Sequence, residues 1–278
     1  EGETEGGGIP ARLERVVVAD PAGNITALVF DDLRHLDAAA RAELNDAIIA
    51  AALRDVPGAP AVEQCGFVTA DAAGGAGGAA GGALEMFGGE FCGNATRSVR
   101  HLLGAENPVT VDMPLPAGGV RVREADGGAG WLVPFDGITH LVVTDAGQLA
   151  NGSVRDTMLS ILADNKYGFR DLPAVGVSYF DEGTGRAAFS LRVRDMDTIF
   201  SENSCGSGTA AIAAALAHRD GEGKRLRVIQ PSGDALGAAA IYDRGASGGG
   251  AGDAGTGRVK GVTTTGTVRI LYDGPLTL

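Results

Sequence analysis

Two short segments of this chain carry the same pattern around a cysteine. Residues 89–98 read GEFCGNATRS, and residues 201–210 read SENSCGSGTA. In each segment the cysteine follows a run typical of a strand, precedes Gly and small polar residues, and leads into an apolar helical pattern. This arrangement predicts two similar α/β units, each with one cysteine at the start of a helix. We interpret Cys92 and Cys205 as a catalytic pair.

The elements around the two cysteines recur in one order, which indicates an internal repeat. The first copy has strand patterns at 15–19, 26–30, 66–69 and 83–87 and helix patterns at 37–54, capped by Asp37, and 95–103. The second copy has strand patterns at 140–143, 175–180 and 187–193 and helix patterns at 152–166 and 209–218. Further strand patterns lie at 108–113, 120–123, 225–230, 238–242, 258–262 and 267–271.

These patterns predict how the chain divides. We expect an N-terminal half at 9–133 and a C-terminal half at 134–263, with a strand within 264–278 that returns to the first half. Residues 1–8 are rich in Gly and Glu and are expected to be a flexible end.

Length and charge limit the choice of partners. A chain of 278 residues can bury a core in each of two halves. Its formal net charge of −12 would repel nucleic acid and anionic membrane surfaces, so we expect neither as a partner. A small-molecule ligand fits this charge better, and a homodimer stays open as an alternative to a monomer.

The three cysteines, Cys65, Cys92 and Cys205, are too few and odd in number for a disulfide framework, which indicates a reducing compartment. No apolar run reaches the roughly 18 residues of a membrane helix, and no signal pattern opens the chain. We therefore expect a cytoplasmic protein. Cys65 lies in a strand pattern and is interpreted as a small buried hydrophobe. None of the four His stands at ligand spacing from Cys92 or Cys205, so no metal site is expected.

The position of the two cysteines suggests their chemistry. The start of a helix favours a thiolate because free backbone N–H groups and the helix dipole stabilise negative charge there. The same N–H groups bind carboxylates. Four small residues beside the cysteines would let a ligand approach the backbone closely, namely Gly93, Gly206, Ser207 and Gly208.

A carboxylate held between two thiols indicates an amino acid with one sulfur on each side of its α-carbon. One thiolate would remove the α-proton while the opposite thiol supplies a proton to the other face. The stereocentre would then invert. This reaction needs no cofactor and no metal ion.

The two motifs resemble the signature motifs of the diaminopimelate epimerase-like family of cofactor-independent amino-acid racemases. Within that family the likeness is greatest to the histidine racemases of opine-metallophore biosynthesis. It extends in order along nearly the whole chain, over residues 23–24, 63–64, 90–96, 180–182, 202–210 and 230–233. The resemblance implies an α/β (α+β) fold of two pseudo-symmetric halves, each a curled, mostly antiparallel sheet around a central helix, with the active site in the cleft between them.

The resemblance also implies the roles of individual residues. Cys92 and Cys205 would be the two acid/base residues. The residues around the α-carboxylate of the substrate would be Gly93, Asn94, Gly206 and Ser207. The residues that contact the α-amino group or order the thiols would be Asn24, Glu63, Gln64 and Glu202. For Glu63, an exposed position at a strand edge is a competing interpretation.

The chain departs from diaminopimelate epimerases where those enzymes hold the distal end of their substrate. Ile138, Gly176 and Asn203 stand in place of polar groups, and the group replaced by Asn203 is an Arg. A distal carboxylate would lose its cation, at a cost of about 2–5 kcal/mol. We therefore do not expect diaminopimelate as the substrate. The resemblance implies histidine instead, and these three positions are where we expect the substrate's side chain to be distinguished.

Other functions stay open. The alternatives are racemisation of another apolar or basic amino acid in specialised metabolism, diaminopimelate epimerisation, a phenazine-biosynthesis-type isomerisation and non-catalytic amino-acid binding. Phenazine-type isomerases share the fold but generally rely on a carboxylate rather than on cysteines. The cysteine pair therefore favours a racemase over that alternative.

Overall fold

The computed structural model describes residues 8–56, 61–69, 84–89, 91–144, 153–194, 198–245 and 257–278. The predicted flexible end at 1–8 lies outside the described residues except for Gly8. Within the described ranges, no helix is long and apolar enough to cross a membrane.

The helices are α1 (Ala38–Asp55), α2 (Gly93–Leu102), α3 (Val154–Ala163) and α4 (Gly206–Asp220), with short 3-10 helices at Asp126–Gly128 and Lys166–Gly168. The strands are β1 (Arg12–Asp20), β2 (Thr26–Val29), β3 (Gln64–Val68), β4 (Leu84–Met86), β5 (Val109–Asp112), β6 (Arg123–Glu124), β7 (Trp131–Phe135), β8 (Ile138–Val143), β9 (Ala174–Asp181), β10 (Arg186–Val193), β11 (Thr198–Glu202), β12 (Lys224–Ile229), β13 (Ala235–Asp243), β14 (Arg258–Gly266) and β15 (Arg269–Thr277).

The strands form two sheets. The first has the order β15-β1-β2-β3-β4, and the second has the order β5-β14-β13-β12-β10-β9-β8-β7-β6, with β11 paired to β10. Most neighbouring strands are antiparallel, but β2–β3, β8–β9 and the short β10–β12 pairing are parallel. The chain is therefore a mixed α+β protein, as the sequence predicts.

The internal repeat is visible in the strand pairing. A hairpin, β1–β2, leads through α1 to β3, which is parallel to β2, and then to the antiparallel β4 and to α2. Likewise β7–β8 leads through α3 to β9, parallel to β8, and then to the antiparallel β10. The counterpart of β8, which contains residues 140–143, is thus β2 rather than β1.

The C-terminal strand β15 pairs with β1 along nearly its whole length. Within 9–133, however, β5 hydrogen-bonds to β14 of the second sheet, and β6 and part of β7 also belong to that sheet. The boundary between residues 133 and 134 stays a prediction.

Each half places its sheet between two helices because apolar residues alternate along the strands. In the first half, Val16 and Val18 pack with α1, whereas Val17 faces the other way and packs with α2. In the second half, Leu141 packs on the α3 side and Val142 on the α4 side. In each half, the helix that follows the cysteine therefore lies on one face of the sheet, and the other helix, α1 or α3, lies on the opposite face.

Helix α4 is buried along three turns because its side chains are small. Every residue from Gly206 to Ala217 is buried, and most of them are Ala or Gly. The helix contacts β7, β8, β9, β12, β13 and β14, so the sheet curls around it. Gly208 lies where this packing is tightest, since a Cβ there would come within 2.5 Å of Phe189 and 2.9 Å of the Ser178 hydroxyl. Gly208 thus serves packing, and its expected role in ligand approach stays a prediction.

Several boundaries differ from the sequence patterns. Helix α4 begins at Gly206, three residues before the predicted start at Thr209, because the chain enters the helix directly from Cys205. Strand β11 was not predicted as a separate strand, although it leads directly to the second cysteine. At 120–123 only an isolated bridge from Val120 to Val259 and the short β6 are formed. Asp37 caps α1 as predicted, accepting a hydrogen bond from Ala40 N–H at 2.9 Å.

The close approach at Gly208 makes a test of the packing. We expect Gly208→Ala to lower the free energy of unfolding by about 1–3 kcal/mol, because the added methyl group overpacks α4 against β10. The matched control is Gly237→Ala, where the nearest atom to a Cβ would be 3.6 Å away. Urea unfolding monitored by circular dichroism measures both, and equal stability of the two variants would contradict the expectation.

Candidate active site

Each of the two cysteines is the N-cap of its helix. Cys92 and Cys205 have nearly the same backbone conformation, with φ and ψ of −121° and 109° and of −124° and 109°. The Cys92 sulfur accepts a hydrogen bond from Ala95 N–H at 3.3 Å, and the Cys205 sulfur accepts one from Gly208 N–H at 3.2 Å. The predicted position at a helix start is confirmed, and the sulfur itself is the capping group.

The two helix N-termini meet. A Cβ built at Gly206 would lie 3.4 Å from the Gly93 Cα, and one built at Gly93 would lie 3.7 Å from the Gly206 Cα. Cys92 is 9% exposed and Cys205 is 1% exposed, and both line one cavity of about 30 Å³. The structure therefore brings the two predicted cysteines to a common space.

Polar and apolar side chains line this small cavity together. The polar or charged residues besides the cysteines are Gln64, Asn94, Glu202 and Ser207. The apolar residues are Phe91, Ile138, Ala174, Leu191, Val193 and Phe200. Ile138 thus lines the cavity beside the cysteines, which agrees with its predicted place near the substrate side chain.

A larger cavity of about 360 Å³ adjoins the small one and shares Gln64, Val193, Phe200 and Glu202 with it. Its polar lining consists of amides, carboxylates and a hydroxyl: Asn24, Asn45, Glu63, Gln64, Ser201, Glu202 and Asn203. Neither Lys nor Arg is among the described residues that line either cavity. A volume of this size suits a small metabolite.

Hydrogen bonds join the predicted amino-group contacts into one network. Glu63 accepts from Asn203 Nδ2 at 2.8 Å and from Asn24 Nδ2 at 3.4 Å, and Gln64 Nε2 donates to Asn24 Oδ1. Glu63 is exposed at the rim of the cleft, as its competing interpretation predicts, yet partial desolvation raises its pKa while the bond from Asn203 lowers it. The network links residues on both sides of the cleft.

Asn94 connects the two cysteine motifs. Its Nδ2 donates to the backbone carbonyl of Ser204 at 2.8 Å, and its Oδ1 accepts from the Arg97 guanidinium. Because Ser204 directly precedes Cys205, this bond holds the start of one helix against the start of the other.

The environment of Cys205 favours the thiol. Burial raises the pKa of Cys205 well above its ordinary value, and the charge of Glu202 and its hydrogen bond with the sulfur raise that pKa further. The Ser207 hydroxyl, 3.4 Å from the sulfur, and the Gly208 N–H act in the opposite direction. The expected stabilisation of a thiolate by the helix start is therefore outweighed at Cys205, because desolvation is the larger effect.

Two residues outside the predicted site hold Cys205 in place. Gln230 accepts from the Cys205 backbone N–H at 3.0 Å and donates to Thr209 Oγ1 at 3.1 Å. His140 lies 3.0 Å from the Ser207 hydroxyl through Nε2 and 3.1 Å from the Ser178 hydroxyl through Nδ1. Burial lowers the pKa of His140 to about 3, so its imidazole is neutral at ordinary pH.

The position of Gly176 corrects one expectation. A Cβ there would lie 2.2 Å from Nδ1 of His140, and Gly176 lines neither cavity. Gly176 therefore leaves room for the buried imidazole, and its expected role in recognising the substrate side chain is wrong. The sequence signal for His140 was weak, since a lone His in a strand carries no motif.

The effect of Glu202 on Cys205 can be tested in the free protein. Glu202→Gln removes a negative charge beside the sulfur, which lowers the thiol pKa and increases the thiolate fraction at a given pH. We expect the rate of Cys205 alkylation by iodoacetamide at pH 8 to rise roughly tenfold, the effect of one pKa unit. Peptide mass spectrometry measures the rate. Glu182→Gln, which changes an exposed carboxylate paired with Arg219, is the control; an unchanged or slower rate in Glu202→Gln would contradict the assignment.

Comparison with known proteins places the chain in a family. Residues 108–247, half of the chain, match the family described as "Histidine racemase CntK N-terminal domain". This range contains Cys205 but not Cys92. A curated histidine racemase from Fusobacterium nucleatum subsp. nucleatum is 26% identical over 187 residues, covering 54% of this chain and 68% of that protein. Its counterpart from another strain is 25% identical, with coverages of 54% and 67%.

Two solved structures share the fold. A predicted epimerase from Pseudomonas aeruginosa has a TM-score of 0.52 at 16% identity, and a phenazine biosynthesis protein of the PhzF family from Bacillus anthracis has a TM-score of 0.52 at 9% identity. In both cases the match covers 95% of this chain and 99% of the other. On the family match, the chain belongs to the histidine racemase CntK N-terminal domain family and is an isomerase of the racemase and epimerase type.

Proposed function

We propose that this enzyme is a cofactor-independent racemase that inverts the α-carbon of a free amino acid, with histidine as the favoured substrate and with Cys92 and Cys205 as the two acid/base residues. The observation that carries the proposal is the shared cavity between two cysteines, each of which caps a helix whose N-terminus meets the other. A planar α-carbon between two sulfurs is the geometry that a two-base inversion requires.

The helix N-termini supply donors for the α-carboxylate. The first N–H groups of a helix have no partner within it. The capping sulfurs accept from the third residue of each helix, and the fourth residue bonds to the cysteine carbonyl. The first two residues of each helix are left to donate to a ligand, and these are Gly93, Asn94, Gly206 and Ser207. They are the four residues that the family resemblance assigns to the carboxylate, and fixed dipoles there would also stabilise the carbanion-like species.

The reaction needs one thiol and one thiolate at any moment. The raised pKa of Cys205 supports this residue as the thiol in the free enzyme. Cys92 would then remove the α-proton of one enantiomer while Cys205 protonates the opposite face. In the reverse direction the roles exchange, because each turnover moves the proton from one sulfur to the other.

The larger cavity would accept the rest of the substrate. Glu63, Gln64 and Glu202 offer acceptors for an ammonium group or an imidazole N–H. A second carboxylate would find no Lys or Arg on the described walls of the two cavities and would lie beside two carboxylates. Burying such an unpaired charge costs about 2–5 kcal/mol. This lining supports histidine over diaminopimelate, in agreement with the histidine racemases among its relatives.

Substrate entry would increase the distance between the two helix N-termini. A cavity of about 30 Å³ holds one or two water molecules and is too small for an α-carbon with its substituents. The hydrogen bonds across the cleft, from Asn203 to Glu63 and from Asn94 to Ser204, are the contacts that would adjust. We infer that the two halves separate slightly on binding and close on the substrate.

The two-base assignment predicts the effect of removing each thiol. In deuterium oxide, the wild-type enzyme should incorporate deuterium at the α-carbon of histidine while optical rotation is lost. Cys92→Ser and Cys205→Ser should each reduce racemisation at least about 100-fold, because a Ser hydroxyl is a much weaker acid than a thiol and is not ionised at a pH where a thiolate can act as the base. Cys65→Ser is the control for loss of a thiol outside the small cavity, since Cys65 is buried in β3 and borders only the larger cavity. Racemisation that survives in either active-site variant would contradict the assignment.

Substrate selectivity can be tested separately. Proton exchange at the α-carbon should be fastest for histidine in a panel of amino acids and at least roughly 30-fold slower for diaminopimelate, the factor that 2 kcal/mol gives. Nuclear magnetic resonance in deuterium oxide measures each rate without coupled enzymes. Faster exchange with diaminopimelate would overturn the proposed specificity but not the cysteine chemistry, whereas exchange with no amino acid would overturn both.

A further inference from the structure

A buried arginine lies behind the two cysteines. Arg97 belongs to the second turn of α2 and has no exposed surface. Its Nη1 would be 3.3 Å from a Cβ at Gly206 and 3.9 Å from one at Gly93. The guanidinium is therefore adjacent to both helix N-termini at the point where they meet.

The described partners of this guanidinium are neutral. Nη2 donates to Asn94 Oδ1, Nη1 donates to Thr264 Oγ1 at 3.2 Å, and Nε is buried without a hydrogen-bond partner. Among the ion pairs of the described residues, none includes Arg97. A cation that is buried without a counter-charge is unfavourable and is seldom kept for stability alone.

The negative charges that can compensate the Arg97 guanidinium are the thiolates of the two cysteines. Burial lowers the pKa of Arg97 to about 10, and the charges of Cys92 and Cys205 as thiolates raise it. By reciprocity, a cation that a thiolate stabilises also stabilises the thiolate. The guanidinium is thus electrostatically coupled to both sulfurs.

We propose that Arg97 is a positioning residue of the two-cysteine site, whose buried charge stabilises whichever cysteine is the thiolate and whose bond to Asn94 keeps the two helix ends together. This inference rests on the proposed two-cysteine reaction. A cation adjacent to the N-termini of both helices would stabilise a thiolate on either sulfur, so the negative charge could move from one sulfur to the other. That property suits a racemase, which must operate in both directions.

Other titratable groups around the sulfurs act differently. Glu202 raises the pKa of Cys205, and Glu63 adds a second carboxylate at the larger cavity. His140, which reaches Cys205 through Ser207, is neutral. Among the described groups around the two sulfurs, Arg97 is the cation whose charge lowers the thiol pKa, against the effect of the two carboxylates.

The test measures thiol reactivity in the free enzyme. Arg97→Met should slow iodoacetamide alkylation at pH 7: the summed rate for Cys92 and Cys205 should fall roughly tenfold, the effect of a rise of one unit in the thiol pKa. Arg97→Lys keeps the charge and should stay within about threefold of the wild type. The matched control is Arg100→Met, which removes a cation from the same helix. The Arg100 guanidinium donates to the Thr110 carbonyl near the surface. Peptide mass spectrometry over pH 6 to 10 gives the rates.

The outcomes separate charge from structure. Wild-type rates in folded Arg97→Met, or equally slow rates in folded Arg97→Lys and Arg97→Met, would overturn the proposal; circular dichroism establishes folding. If Arg97→Met does not fold, the test uses Arg97→Lys alone. The pH at which alkylation reaches half its maximal rate must then stay within about half a unit of the wild-type value, and a larger rise rejects the proposed role of the charge. Because alkylation needs no substrate, the result stands whether or not the enzyme racemises histidine.

Discussion

The contact between two helix N-termini is the constraint on which the rest of this structure depends. Each N-terminus carries a partial positive charge, and two such ends brought together repel one another. Gly93 and Gly206 permit the approach because neither places a side chain between the helices. Negative charge at the junction relieves the repulsion, and the capping sulfurs of Cys92 and Cys205 are the groups that can carry it. In the proposed function, a ligand carboxylate would do the same, because the free N–H groups of a helix start bind anions.

The packing of each half supports this junction. Helix α4 packs closely against the second sheet because most of its buried residues are small, and Gly208 approaches Phe189 of β10 where a Cβ would not fit. Gln230 and Asn94 then hold the backbone at Cys205 from two directions, one through its N–H and the other through the carbonyl of Ser204. The sulfurs are positioned by groups whose own positions are determined by packing, which is what an acid/base pair requires.

The sequence predicted those features that local patterns encode. Strand and helix periodicity indicated the order of elements and their repetition, and Asp37 showed the start of α1. The start of α4 was placed too late because Gly and Ser are poor helix formers and Cys is not a common cap. His140 and Arg97 were not predicted as parts of the site, since a buried imidazole or guanidinium contradicts the usual partition of polar residues. Their burial depends on contacts between segments distant in sequence, such as Arg97 with Thr264.

In the proposed reaction, the residues that would transfer protons and those that would contact the substrate side chain lie in different parts of the cleft. Cys92, Cys205 and the helix ends surround the small cavity, whereas Asn24, Glu63 and Asn203 line the larger one. Gln64 and Glu202 border both and can transmit a change from one to the other. Because the lining of the larger cavity comes mainly from α1, β3, β11 and the turns beside them rather than from α2 and α4, it can change without disturbing the packing of those two helices. Such a division would let related chains keep one proton-transfer device while accepting different amino acids, and it explains why the cysteine motifs alone cannot specify the substrate.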